Sequence, residues 1–137
     1  MRWLLLYLRF VGGFTLLAFA AAMMPEGWMI TIAKLLTIDP FPDSPLTFYL
    51  ARNLSLLYGF IGIGLLVIAS DLRRYRPQVR LLAFGTMAFG ILQVVCNSMS
   101  SLPWWWSFGE GLSTVGGGIL MYYLDSRAGE SNDAPQR

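Results

Sequence analysis

The sequence predicts an all-α integral membrane protein: an antiparallel bundle of four transmembrane helices with a short additional helix at the outer interface. Of its 137 residues, 55% are hydrophobic and only 13% are charged, about half the charged fraction of a typical soluble domain. Four spans of about 20 residues each use most of the chain, so no soluble domain fits beside them.

Four apolar runs predict the spans. Each run is long enough to cross a hydrocarbon core of about 30 Å as a helix, and none has the alternation of a barrel strand. The spans are predicted at about 3–24, 47–70, 79–99 and 104–124, in a single membrane domain of residues 1–124. The polar residues 125–137 predict a disordered cytoplasmic tail.

The first run has a second interpretation as a secretory signal peptide. Met1 and Arg2 precede an apolar stretch that ends in the small residues Ala18–Ala22, which resemble a cleavage site. The run is long for a signal peptide and Arg9 interrupts it, so we expect it to be retained as a transmembrane helix.

Arginine content predicts the orientation. Cytoplasmic loops of membrane proteins are enriched in Lys and Arg, and the segment between the first two spans holds only Lys34. We therefore expect both termini and the loop between the second and third spans to be cytoplasmic, at a bacterial inner (plasma) membrane. That loop either sets topology alone or also contacts anionic head groups. Its basic residues are Arg73, Arg74, Arg76 and Arg80.

The segment after the first span predicts a short amphipathic helix in the outer interface. Pro25 and Glu26 suit the first turn of a helix, and Met29, Ile32 and Leu35 share one face. Tryptophans near this level predict an interfacial aromatic belt. They are Trp28, Trp104, Trp105 and Trp106.

Small residues predict where helices pack closely, because in lipid the close approach of backbones replaces hydrophobic burial. Such residues recur at about one helical turn on the second and fourth spans. They are Ala51, Ser55 and Gly59 on the second span and Gly109, Ser113 and Gly117 on the fourth.

Polar residues at helical spacing on the third span predict a face turned away from lipid. Gln93 and Asn97 lie on this face, at a depth similar to that of Arg52 on the second span and Glu110 on the fourth. We expect an Arg52–Glu110 ion pair, with the two amides completing its hydrogen bonds. Two interpretations stay open: a pair that fixes helix packing, and a pocket for a polar head group or a proton relay.

The residue types exclude several functions. The chain has no histidine and a single cysteine, Cys96, so it cannot form a Ser-His-Asp triad, an internal disulfide or a CxxC pair. Glu26, Asp39 and Asp43 match no recognised metal pattern. We expect no catalytic residues, no metal and no cofactor, and a net charge of +2 gives no reason to expect nucleic acid as a partner.

Several short segments together resemble a group of small bacterial four-helix membrane proteins. The segments are 25–29 (PEGWM), 49–55 (YLARNLS), 57–59 (LYG), 71–75 (DLRRY), 103–105 (PWW) and 110–111 (EG). The architecture of this group is similar to that of DoxX-like proteins, which are loosely associated with quinol-oxidase and thiol-redox systems. The resemblance implies that Arg52 and Glu110 belong to a recurring pattern. It brings no established activity, and any redox role would rely on partners.

These observations favour a non-enzymatic accessory or scaffolding subunit that packs against other membrane proteins or against itself. The alternative is binding or transport of a small amphipathic molecule, a lipid or a quinone, at the outer polar cluster of Arg52, Glu110, Asn97 and Gln93. An enzyme is the least favoured class; in that case Glu110 with Arg52 would serve acid–base chemistry.

Overall fold

The computed structural model describes residues 1–36, 42, 44–99 and 104–133, which are mostly helical and contain no strand. The helices are α1 (Arg2–Leu16), α2 (Ala18–Ala22), α3 (Glu26–Leu35), α4 (Pro45–Ser70), α5 (Arg76–Ser98) and α6 (Trp104–Asp133). The all-α class predicted from composition is confirmed. Asp39, Asp43 and residues 134–137 lie outside the described part of the chain.

Three helical stretches within the described residues are long and apolar enough to cross a membrane. They are Arg2–Ala22, Pro45–Ser70 and Arg76–Ser98, which correspond to the first three predicted spans. The fourth predicted span forms a helix, α6, which falls outside this set. Its glycines, its hydroxyl side chains and Glu110 make it less apolar than the other three.

The first predicted span is interrupted at Leu17, between α1 and α2. The Leu17 N–H donates to the Phe14 carbonyl oxygen, only three residues back, which tightens the turn. Two residues earlier, the Thr15 hydroxyl donates to the carbonyl oxygens of Val11 and Gly12, a type of bond that bends helices. The apolar pattern of the sequence gives no sign of this break.

The short helix predicted after the first span is present as α3. Pro25 is extended (ψ 144°) and precedes the first turn, Glu26 lies in that turn, and Lys34 lies in the last turn. Both charges are placed favourably for the helix dipole. Ala33 is buried, whereas Leu35, expected on the apolar face, is 82% exposed.

The helices form two compact units. The first unit, Leu8–Val67, contains most of α1 and α4 as antiparallel neighbours that approach closely at Gly12 and Gly62. A Cβ added to Gly62 would lie 2.8 Å from the Gly12 carbonyl oxygen, and one added to Gly12 would lie 3.1 Å from the Gly62 oxygen. Neither position has room for a side chain.

The second unit consists of Met1–Tyr7 and Ile68–Arg137, and α5 and α6 are antiparallel neighbours within it. A Cβ added to Gly90 would lie 3.0 Å from the Gly111 carbonyl oxygen, and one added to Gly111 would lie 3.2 Å from the Gly90 oxygen. About two turns away, a Cβ added to Gly118 would lie 2.8 Å from the Ala83 carbonyl oxygen. The pair is thus in contact over several turns.

The expected disordered tail is corrected in part. The helix α6 extends past 124 to Asp133, and Asp125, at which the tail was predicted to begin, is fully buried. Ala128 is buried as well. The polar composition of 125–133 suggested disorder, but packing and ion pairing against the start of α5 hold the first part of this segment in the helix.

Candidate functional site

The second unit carries two polar clusters, one at each end of the α5–α6 pair. The first, near the end of α5 and the start of α6, contains three of the four residues of the predicted outer cluster. Asn97 Nδ2 donates to Glu110 Oε2 at 3.4 Å, and the Thr114 hydroxyl lies 3.4 Å from Gln93 Oε1. Gln93 and Asn97 thus face α6.

Glu110 is only loosely held in this cluster. Its carboxylate receives the long bond from Asn97, while the hydroxyls of Ser113 and Thr114 donate to its backbone carbonyl oxygen instead. The side chain is half-buried. A carboxylate with a long bond and partial access to the surroundings retains the capacity to accept further hydrogen bonds.

Arg52, the fourth residue of the predicted cluster, belongs to the first unit. There its Nη1 lies 3.6 Å from Glu26 Oε1, and both side chains are substantially exposed. The ion pair links the first turn of α3 to α4. The expected Arg52–Glu110 pair would join the two units and stays a prediction.

The second cluster lies at the opposite end of the α5–α6 pair and centres on the buried Asp125. Arg76 Nε donates to Asp125 Oδ1 at 2.9 Å, and Arg80 Nε donates to Oδ2 at 2.8 Å. Arg76 also donates through Nη2 to the Asp125 carbonyl oxygen, at 2.9 Å. Each carboxylate oxygen therefore has its own guanidinium donor, the arrangement that makes a buried charge tolerable.

The loop between α4 and α5 brings the remaining predicted arginines to the same end. Asp71 Oδ1 accepts the N–H of Arg74 at 3.2 Å, and Pro77 lies in the first turn of α5, so the loop is short and ordered by local bonds. The guanidinium of Arg74 lies 5.7 Å from the centre of the Tyr75 ring. Arg73, in contrast, lines a cavity.

This cavity has a volume of about 150 Å³. Arg73, Arg76 and Asp125 contribute its polar lining. Leu4, Leu72 and Ala128 contribute an apolar lining and are themselves buried. The combination of guanidinium groups with an apolar floor is suited to a small anion or to the charged end of an amphipathic molecule.

The predicted small-residue stripes are only partly the ones used for packing within the units. On α4, Gly59 is buried against the Phe19 ring, while Ala51 and Ser55 are half-buried. On α6, the close approach to α5 uses Gly111 and Gly118 rather than the predicted stripe. In that stripe, Gly117 accepts a hydrogen bond from the Tyr7 hydroxyl at 2.9 Å, whereas Gly109 and Ser113 are exposed.

Three of the four predicted aromatic belt residues are exposed, and Trp106 is half-buried. Trp28 is 66% exposed, and Trp104 is 75% exposed. Trp105 and Trp106 form an edge-to-face pair with their ring centres 5.7 Å apart.

Three contributors to the polar and glycine contacts are absent from the residues predicted from the sequence: Asp125, Gly12 and Gly111. A usable signal for Asp125 existed, because Arg76 and Arg80 are four residues apart and therefore share one face of α5, which calls for an acidic partner. Among the described residues, no group of three or more acidic or cysteine side chains is placed to hold a metal ion.

Comparison of the chain with protein-family models, curated proteins and solved structures gave no match. The likeness to the DoxX-like group therefore stays an expectation that rests on the sequence segments alone.

Proposed function

We propose that the chain is an integral protein of the bacterial inner membrane with four spans and with both termini in the cytoplasm. Three helices suit a span by length and composition. The fourth, α6, runs beside α5 from the Asn97–Glu110 contact at one end to the Arg76–Asp125 contact at the other. If α5 crosses the bilayer, α6 has to cross with it.

Cysteine labelling in intact cells tests this topology. In a Cys96→Ser background, Ser44→Cys should react with a membrane-impermeant maleimide, and Arg74→Cys should react only after the membrane is permeabilised. The two positions are matched because each flanks α4 at one end. The reverse labelling pattern, or equal labelling of both positions, would refute the proposed orientation.

Within the membrane, the chain acts as a non-enzymatic accessory or scaffolding subunit that packs against other membrane proteins or a second copy of itself. The observation that carries this proposal is the open small-residue face of α6, formed by Gly109, Ser113 and Gly116. A Cβ added to Gly109 or Gly116 would meet no other atom within 4 Å. Each glycine costs the helix about 1 kcal/mol relative to alanine, and among the described residues neither lies at a close contact that requires a glycine.

Native mass spectrometry of the protein, released from the membrane with its own lipids, tests the packing role. We expect a homo-oligomer or a stoichiometric protein companion, and we expect Gly109→Ile to abolish that assembly without unfolding the chain. Gly85→Ile is the matched control, because a Cβ on Gly85 of α5 also meets open space. A monomeric wild-type protein, or an assembly indifferent to Gly109→Ile, would contradict the proposal.

A second candidate function is the binding or transport of a lipid or quinone at the outer polar cluster. The long Asn97–Glu110 bond supports it, because a Glu110 carboxylate that is half-buried and weakly bonded retains capacity for a polar ligand group. The competing interpretation is a purely structural contact that fixes helix register.

Retained ligands separate these two interpretations. If the cluster binds an amphipathic molecule, the wild-type protein should retain one after extraction, and Glu110→Gln and Arg52→Ala should lose it with little change in heat stability. A marked loss of heat stability in both variants, with no retained molecule in the wild type, would leave only the structural interpretation.

A further inference from the structure

The arginines at the α4–α5 loop are not equivalent, and this difference points to a specific site. A purely topological role requires only that positive charges lie near one end of the spans, wherever each side chain points. Instead, Arg73 and Arg76 line one cavity of about 150 Å³, Arg80 bonds Asp125 beside it, and Arg74 lies over the Tyr75 ring.

We propose that this cavity, hereafter the Arg73 cavity, binds a phosphate-bearing anion, either the head group of an anionic lipid or a soluble phosphate compound. Arg73 and Arg76 are its direct ligands. Guanidinium groups match phosphate oxygens through paired, charge-assisted hydrogen bonds. The site lies at the opposite end of the α5–α6 pair from Glu110 and is independent of the proposed subunit role.

The balance of charge favours an anion. Arg76 and Arg80 both bond the fully buried carboxylate of Asp125, and Arg73 adds a third positive charge at the cavity lining. Arg76, which lines the cavity, uses Nε and Nη2 for Asp125, which leaves its Nη1 group as a further donor. Asp71, the nearest other acid in the loop, is engaged with the backbone N–H of Arg74.

Asp125 acts as a positioning residue in this site. Its Oδ1 and its carbonyl oxygen hold Arg76 at two points, and its Oδ2 accepts the bond from Arg80. A guanidinium fixed in this way loses little side-chain entropy when an anion arrives. The apolar floor of Leu4, Leu72 and Ala128 offers a place for the first carbons of a lipid beyond its phosphate.

The experiment uses the full chain, stripped of lipid, in a neutral detergent at 150 mM salt, where charges beyond about 8 Å are screened. Phosphatidylglycerol, phosphatidylcholine and inorganic diphosphate are titrated separately, and binding is followed by native mass spectrometry. The test variant is Arg73→Gln. Arg74→Gln is the matched control, because it removes the same charge from the next residue without altering the cavity lining.

We expect Arg73→Gln to weaken anion binding about tenfold and Arg74→Gln to weaken it less than about twofold. If phosphatidylglycerol shows this pattern and diphosphate does not bind, the ligand is a lipid head group. If diphosphate shows the pattern and displaces the lipid, the ligand is a soluble phosphate compound. Equal effects of the two substitutions would overturn the proposal, as would phosphatidylglycerol binding no better than phosphatidylcholine with no binding of diphosphate.

Discussion

The two units of the molecule join antiparallel helices by the same device, a reciprocal pair of glycines, but they treat their ion pairs differently. Gly12 and Gly62 in the first unit correspond to Gly90 and Gly111 in the second. In the first unit, the ion pair of Glu26 with Arg52 is exposed and long, at 3.6 Å. In the second, Asp125 is buried and holds two arginines at 2.9 and 2.8 Å.

The two ion pairs therefore differ in how much they contribute to stability. An exposed pair is screened by solvent and restrains two long side chains, so it stabilises little. A buried carboxylate has lost its hydration, and removal of its charge leaves two guanidinium groups beside it without a counter-charge. Helix packing is therefore similar in the two units, whereas the electrostatic contribution is concentrated at Asp125.

The largest effect is expected when the buried carboxylate is neutralised. Asp125→Asn keeps the shape of the side chain but removes the charge that Arg76 and Arg80 share, and it should lower the free energy of unfolding by on the order of 3 kcal/mol. Unfolding in mixed micelles with increasing SDS measures this change. A loss below about 1 kcal/mol would mean that the ion pairs of Asp125, like the Glu26–Arg52 pair, contribute little to stability.

The next largest effect is expected at the glycine pairs. Gly90→Ala places a methyl group against the backbone of Val115 and Gly111, and Gly62→Ala does the same against Gly12. Each should lower the free energy of unfolding by about 1–3 kcal/mol. The same mixed-micelle unfolding measures both changes.

Two matched controls separate close packing from backbone flexibility. Gly64→Ala and Gly85→Ala add a methyl group where nothing lies within 4 Å, so helix propensity should make them neutral or stabilising by up to about 1 kcal/mol. If the controls destabilise as much as the pair variants, glycine flexibility rather than close packing is what the helices require.

The smallest effect is expected at the exposed ion pair. Glu26→Gln should change the free energy of unfolding by no more than about 0.5 kcal/mol, because both side chains of the pair are substantially exposed. Arg52→Gln should have the same small effect if Glu26 is the one ion-pair partner of Arg52. A much larger effect of Arg52→Gln alone would indicate a second partner, as the predicted Arg52–Glu110 contact requires.

Much of the helical framework follows from the sequence, because long apolar runs, Pro25 and the arginine loop are local signals. The inward face of α5 is also readable, since Gln93 and Asn97 would be costly in lipid. The face of α6 that contacts α5 cannot be predicted in the same way. Gly116, Gly117 and Gly118 are consecutive and lie on three different faces of the helix, so their spacing does not distinguish the face that packs against α5 from the face that is open.

The burial of Asp125 is a second feature that local composition does not predict. Polar composition after an apolar run usually indicates the end of a span, and by that rule Asp125 begins a tail. Its burial depends on Arg76 and Arg80, which lie 49 and 45 residues away in the chain. Long-range pairing of this kind is invisible to any window of local composition.

The reciprocal glycine pairs also bear on when the helices associate. In each pair, an α-hydrogen occupies the position where a Cβ would lie about 3 Å from the partner's carbonyl oxygen, so Cα–H groups point at backbone oxygens across the contact. Such weak hydrogen bonds contribute about 0.5–1 kcal/mol each. They do not depend on releasing water from apolar surface, so they keep their strength between helices already surrounded by acyl chains. In the proposed membrane protein, each pair is therefore suited to associate after insertion, as a late step of assembly within the bilayer.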